Sequence, residues 1–128
     1  MQQIFLIAFG GALGCMTRYG VSTLVYSATS EVFPWGTLVV NISGCFLIGV
    51  FSELFETALI PSEWRSLLTI GFVGGFTTFS TYALETLSLI REGEIQLATY
   101  NVLSSTVVGI AFVAVGIYST RIVIKLFA

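Results

Sequence analysis

Apolar stretches of about twenty residues recur along this chain, at about residues 4–25, 35–54, 67–90 and 97–117. That length of apolar helix crosses the hydrocarbon core of a bilayer, which takes about 20 residues. Within lipid, backbone N–H and C=O groups must be paired internally, so only helices and closed barrels span it. The breaks between stretches fall at Pro34, at Pro61-Ser62-Glu63 and at Arg91-Glu92-Gly93-Glu94. The expectation is an all-α membrane protein of four transmembrane helices, a single four-helix integral membrane domain over residues 1–128. Charge agrees with it. Five Lys/Arg and seven Asp/Glu in 128 residues are too few for a soluble surface, which usually draws on roughly a quarter charged residues. A soluble enzyme is thereby excluded. A net charge of −2 supplies no basic face to neutralise phosphates, so no nucleic acid is expected as a partner. The chain has no His, which removes His triads, His metal sites and His proton relays. Cys15 and Cys45 each lie in an apolar run and read as small buried hydrophobes. The first stretch lacks the basic start of a signal peptide. Ala12-Leu13-Gly14-Cys15 only faintly resembles a lipoprotein cleavage site, and a retained helix is expected.

Four spans put both termini on one side. That side then carries Arg65, Arg121 and Lys125, and the other carries Arg91, plus Arg18 if it reaches that interface. Orientation follows the Lys/Arg bias of the loops, and so weak a bias permits insertion both ways. A dual-topology protein assembled as an antiparallel homodimer is therefore allowed. Four short helices enclose little interior, which makes an oligomer the expectation.

Polar groups at membrane depth are costly and each needs a reason. Gly10, Gly14 and Arg18 share one helix face by their four-residue spacing, and Gly10-x-x-x-Gly14 allows close helix approach. Arg18 either snorkels to the interface or faces a water-filled vestibule and attracts anions. Thr37, Asn41 and Gly44 form a second stripe, with the Asn41 amide bonding a neighbouring helix or donating into a polar track. The third stretch holds Gly71-Phe72-Val73-Gly74-Gly75-Phe76-Thr77-Thr78-Phe79-Ser80-Thr81-Tyr82. Paired glycines and a run of hydroxyls suit a continuous helix poorly, so a third helix broken at mid-span is expected. Such breaks line binding sites in membrane proteins, where freed carbonyls suit cations and half-helix N-termini suit anions. Glu85 follows, in the second half of the break or near the interface. In the fourth stretch Tyr100 and Ser104 form one stripe, and Asn101, Ser105 and Gly109 another. Spacing leaves open which packs and which faces a polar track. Hydroxyls, amides, one Arg and aromatic rings with positive edges suit a small, strongly hydrogen-bonding anion better than a cation or a drug.

The combined pattern resembles the Fluc (CrcB-type) fluoride channel family over nearly the whole chain. Gly10-Gly11-x-x-Gly14-x-x-x-Arg18-Tyr19 is similar to its first helix, and Gly36-Thr37-Leu38-x-Val40-Asn41-x-x-Gly44 to its second. Gly71-Phe72-x-Gly74-Gly75-Phe76-Thr77-Thr78-Phe79-Ser80-Thr81 is similar to its third-helix break. Each motif alone is weak, and together they are specific. The resemblance implies an antiparallel dual-topology homodimer in the inner (plasma) membrane of a prokaryote, with two fluoride pores. It implies passive fluoride export against toxicity: hydrogen fluoride diffuses in from acid surroundings, dissociates and leaves its anion trapped. No catalytic residue is implied. By motif position, Asn41 would donate to fluoride and Phe79 would contact it by a ring edge. Thr78, Ser80 and Thr81 would supply hydroxyls. Glu85 would lie toward the far end of the pore, Tyr100 and Ser104 would contribute from the fourth helix, and Arg18 would sit in the vestibule. The Gly74 and Thr77 backbone carbonyls of both subunits would hold a structural sodium ion. Tyr82 departs from the family's usual second box Phe. It can still offer an edge, or bond the ion through its hydroxyl. Two other readings fit less well. A small multidrug exporter needs an embedded carboxylate, for which Glu85 is the late-span candidate. An accessory subunit would not need a hydroxyl-lined break.

Overall fold

A computed structural model describes residues 1–29 and 32–127. Helix α1 covers Gln2–Ala28 and α2 covers Trp35–Glu56. The third span opens with a 3-10 turn, Ser62–Trp64, and a π-helical segment, Ser66–Val73. It continues as α3 (Gly74–Phe76), breaks, and resumes as α4 (Phe79–Arg91). The fourth is α5 (Ile95–Leu103), a π-helical turn at Ser104–Val108, and α6 (Gly109–Phe127). Among the described residues there is no strand, and four helical spans are long and apolar enough to cross a membrane. The expected membrane class and span count therefore hold.

The fourth helix continues past Ile117, the expected end of its span, to Phe127. Arg121 lies on this continuation. In the structure its Nε and Nη2 donate to Glu53 Oε1 and Oε2, each at 2.9 Å, and Glu53 is only 4% exposed. A bidentate partner on α2 lets the helix carry its charge onward. Removing one member of a buried pair leaves the other uncompensated. Glu53→Gln is accordingly expected to lower the thermal unfolding midpoint in detergent, and adding Arg121→Gln to recover part of the loss. A double variant no more stable than the single one would contradict the coupling.

The third span breaks as expected, but not at its glycines. Gly74 is helical, with φ −63° and ψ −37°. The extended residues are Thr77 (φ −83°, ψ 158°) and Thr78 (φ −148°, ψ 118°). The glycines serve packing instead. A Cβ on Gly14 would collide with the Phe72 carbonyl, and one on Gly10 with the Leu67 carbonyl. From the other side, a Cβ on Gly75 would sit 2.6 Å from the Gly11 carbonyl oxygen. α1 and the first half of the third span thus meet backbone to backbone, as small residues allow between membrane helices. α2 and α6 meet in the same way at Gly49 and Gly116, each against a carbonyl of the other helix.

Candidate functional site

The break is held open by Asn41 of α2. In an unbroken helix the Thr78 N–H would bond the Gly74 carbonyl, four residues back. Here it donates to Asn41 Oδ1 at 2.8 Å, and Asn41 Nδ2 donates back to the Thr78 carbonyl at 3.0 Å. One amide side chain thus pairs both polar backbone groups of the extended residue, which lipid could not do. An amide carries two N–H donors, so one remains after this exchange.

Thr78 also starts α4. Its Oγ1 accepts from the Thr81 N–H at 3.3 Å and donates to Thr81 Oγ1 at 3.0 Å, with Ser80 Oγ 3.5 Å away. A hydroxyl at this position satisfies one of the four orphan donors of a helix start. The α4 N-terminus carries a partial positive charge and begins at mid-span, beside the Asn41 amide. Its approach is lined by uncharged hydroxyls.

Arg18 reaches the same place. Its Nη1 donates to the Thr77 carbonyl at 3.4 Å and its Nη2 to Cys15 Sγ at 3.6 Å. Arg18, Tyr26, Thr37, Thr78, Thr81 and Glu85 line a cavity of about 330 Å³. Within it Glu85 Oε1 accepts from Thr37 Oγ1 at 2.7 Å and from the Tyr26 hydroxyl at 3.0 Å. Glu85 Oε2 is buried without a partner. Tyr26 carries no motif or spacing that marks it in the sequence. Its one signal was Gly36, where a Cβ would collide with the Tyr26 ring.

On the other side of Thr78 lies a second cavity, of about 410 Å³, lined by Asn41, Thr78, Phe79, Tyr82 and Ser105 among others. The Phe79 and Tyr82 ring centroids are 5.6 Å apart and tilted by 48°. Phe79 is 79% exposed on the single chain. Among the described residues, no carboxylate lines this cavity. It offers uncharged donors and ring edges, a set that suits a small anion.

The fourth span resolves the choice between stripes. Asn101 is 2% exposed and its Nδ2 donates to Thr86 Oγ1 at 2.9 Å. Gly109 lies against Cys45, and Ser105 lines the Phe79 cavity. The Asn101–Ser105–Gly109 stripe therefore faces inward. Tyr100 is 61% exposed, and Ser104 Oγ donates to the Tyr100 and Asn101 carbonyls of its own helix. Neither Tyr100 nor Ser104 is brought to the cavity within one chain. Ser105 Oγ is buried with no partner. A serine in a helix usually bonds back to a carbonyl one turn earlier. The π-helical turn at Ser104–Val108, a feature frequent at functional sites, is where that habit lapses.

Of the residues singled out from sequence, Arg18, Asn41, Thr78, Phe79, Thr81, Tyr82 and Glu85 line one or both of these cavities. Ser80 stands beside Thr78 at the α4 start. The Gly74 and Thr77 carbonyls lie on the first side of the break. The Gly74 carbonyl has lost its helical donor to Asn41, and the Thr77 carbonyl accepts the long Arg18 contact.

The model of the family described as CrcB-like protein, Camphor Resistance (CrcB), matches residues 5–117. A protein of Geobacter metallireducens named fluoride-specific ion channel FluC is 48% identical over 122 residues, covering 94% of this chain and 98% of that protein. Proteins of the same name from Geobacter sulfurreducens and Rhizobium johnstonii are 46% and 44% identical, each over 94% of this chain and 98% of their own length.

Proposed function

Because the chain belongs to the CrcB-like family, we propose that it is a fluoride-specific ion channel, a multi-pass membrane protein that releases fluoride passively from the cytoplasm. The observation that carries the reading is the carboxylate-free cavity that gathers Asn41, Thr78, Phe79, Tyr82 and Ser105 beside the break. Fluoride is small and strongly hydrated, and leaves water only where donors replace its shell. The free Asn41 N–H, the Ser105 hydroxyl and the rim of the Phe79 ring supply them. The uncharged lining lets the ion move on, since a fixed cation in the cavity would hold it. Larger halides gain less from each donor and fit the same space worse. Transport down the gradient requires no reacting group, in keeping with relatives that are named ion channels.

The chain works as an antiparallel homodimer in this reading. The strong exposure of Phe79 supports it, because a ring edge meant for an ion in a dry pathway needs a second surface opposite. Single cysteines placed at Lys125 in a cysteine-free background should react with an impermeant maleimide from both sides of the membrane. Labelling from one side only would contradict dual topology. The Gly74 and Thr77 carbonyls of the two subunits would hold a sodium ion, and their lost helical donors fit a hard cation that takes backbone oxygens. Sodium there would balance the carbonyl dipoles and tie the subunits together.

Two tests bear on the pathway. Expressed in a bacterium lacking its own fluoride exporter, the wild type should restore growth in millimolar fluoride and Phe79→Ile should not, at equal membrane expression. Growth restored equally by both would contradict the role of Phe79. Ser105→Ala removes a hydroxyl that makes no bond within the chain, so thermal stability should hold or rise. Fluoride flux should nonetheless fall on the order of 10–100-fold, since a hydrogen bond to a charged group is worth about 1.5–3 kcal/mol. Unchanged flux would remove Ser105 from the pathway.

A further inference from the structure

Four cavities of this chain share walls in sequence. Tyr26 and Glu85 line both the Arg18 cavity and a larger one that reaches Glu92 at the end of α4. Thr78 lines both the Arg18 and the Phe79 cavities. Ile48 lines both the Phe79 cavity and a fourth, of about 180 Å³, whose other walls are Ser52, Phe55, Arg65 and Thr69. That last cavity lies where α2 ends and the third span begins, on the side of the chain termini.

Arg65 stands out there. Among the described residues its guanidinium has no carboxylate partner and no hydrogen-bond acceptor, although Glu63 and Glu56 are close in sequence. It lies over the Phe55 ring, 5.7 Å from the centroid, a cation–π contact that fixes a cation while leaving its N–H groups free. Its backbone is fixed as well, by Thr69 Oγ1 donating to the Arg65 carbonyl at 2.7 Å. Arg121, by contrast, spends its charge on Glu53. An arginine kept unpaired and pinned at the rim of a cavity with a serine opposite is arranged for an anion arriving from water.

We propose that Arg65, with Ser52, forms an anion-collecting mouth at the terminal end of the fluoride pathway, and that Ile48 is the narrow apolar point between this mouth and the Phe79 cavity. The inference rests on the channel reading above and adds an entry residue and a constriction to it. A cation at a cleft mouth raises local anion concentration and entry rate, an effect that falls steeply with ionic strength. It does not alter which anion passes. At the far end the cavity is lined by Glu85 and Glu92 and not by the neighbouring Arg91, and Arg18 lies deeper.

The test is fluoride efflux from liposomes at low fluoride, for wild type, Arg65→Gln, Arg65→Lys and Ile48→Phe, at about 10 mM and about 300 mM background salt, where the screening length shrinks from about 30 Å to under 10 Å. Arg65→Gln should lower flux about 3–10-fold in low salt, with the deficit closing in high salt. Arg65→Lys should retain most of the flux, and fluoride-over-chloride selectivity should stay unchanged throughout. Ile48→Phe should cut flux at least tenfold at both salts. A wild-type flux and salt response in Arg65→Gln, or a deficit independent of salt, would overturn the mouth and leave Arg65 an interfacial anchor. Normal flux in Ile48→Phe would overturn the constriction. A folded wild type that passes no fluoride would overturn the channel reading and this inference together, a result distinct from all of these.

Discussion

Asn41→Asp is expected to lower fluoride efflux on the order of 100-fold while the protein still folds and assembles. The carboxylate keeps the acceptor for the Thr78 N–H and loses the donor to the Thr78 carbonyl. One carbonyl at membrane depth is then unpaired, at about 1–3 kcal/mol. The larger effect is electrostatic. A unit negative charge about 5 Å from the ion path, at an effective dielectric of about 20, repels an anion by about 3 kcal/mol, a factor of about 100 in occupancy. Asn41→Leu separates the two roles of the side chain. It removes both bonds to Thr78 and should destabilise the purified protein well beyond Asn41→Asp. Efflux assays paired with thermal unfolding in detergent read both. Near-normal flux in Asn41→Asp would place the ion path elsewhere.

Gly14→Ala is expected to be the most disruptive methyl group that can be added to this chain. The new Cβ would collide with the Phe72 carbonyl and lie 2.8 Å from the Phe76 backbone nitrogen. Both are backbone atoms just ahead of the break, so no side chain can turn aside. Overpacking costs about 1–3 kcal/mol where side chains can adjust, and the loss here should reach or exceed the upper figure. Gly20 is the control. A Cβ there meets nothing, and Gly20→Ala should stabilise α1 by up to about 1 kcal/mol. If the two substitutions lowered the unfolding midpoint equally, the close approach of α1 to the third span would be wrong.

Much of this architecture was legible in the residues. Four apolar runs and scarce charge fixed the membrane class, and Gly10 with Gly14 marked a close helix contact. The hydroxyl run after Gly74-Gly75 marked a broken span. What the sequence blurred was which residue does what. The glycines drew attention to themselves as the break, yet they pack, and Thr77 and Thr78 break the helix because Asn41 waits on another helix to pair the freed backbone. That partnership spans residues far apart in the chain and leaves no local trace.

Two further misses have the same origin. Regular 3.6-residue spacing could not choose between Tyr100–Ser104 and Asn101–Ser105. The π-helical turn at Ser104–Val108 shifts the register there, and periodicity assumes a constant one. Ordinary spacing arguments also had no way to pick Tyr26, a residue that could have been a plain interfacial tyrosine. Its hydroxyl donates to the same Glu85 oxygen that accepts from Thr37.

The central claim is selective passive conduction. It is tested most directly by loading liposomes that contain the purified protein with equal fluoride and chloride, and following both ions with electrodes when valinomycin opens a potassium pathway. The account predicts fast fluoride release that depends on valinomycin, with chloride retained. Release of both ions, or of neither from a verified folded dimer, would contradict it.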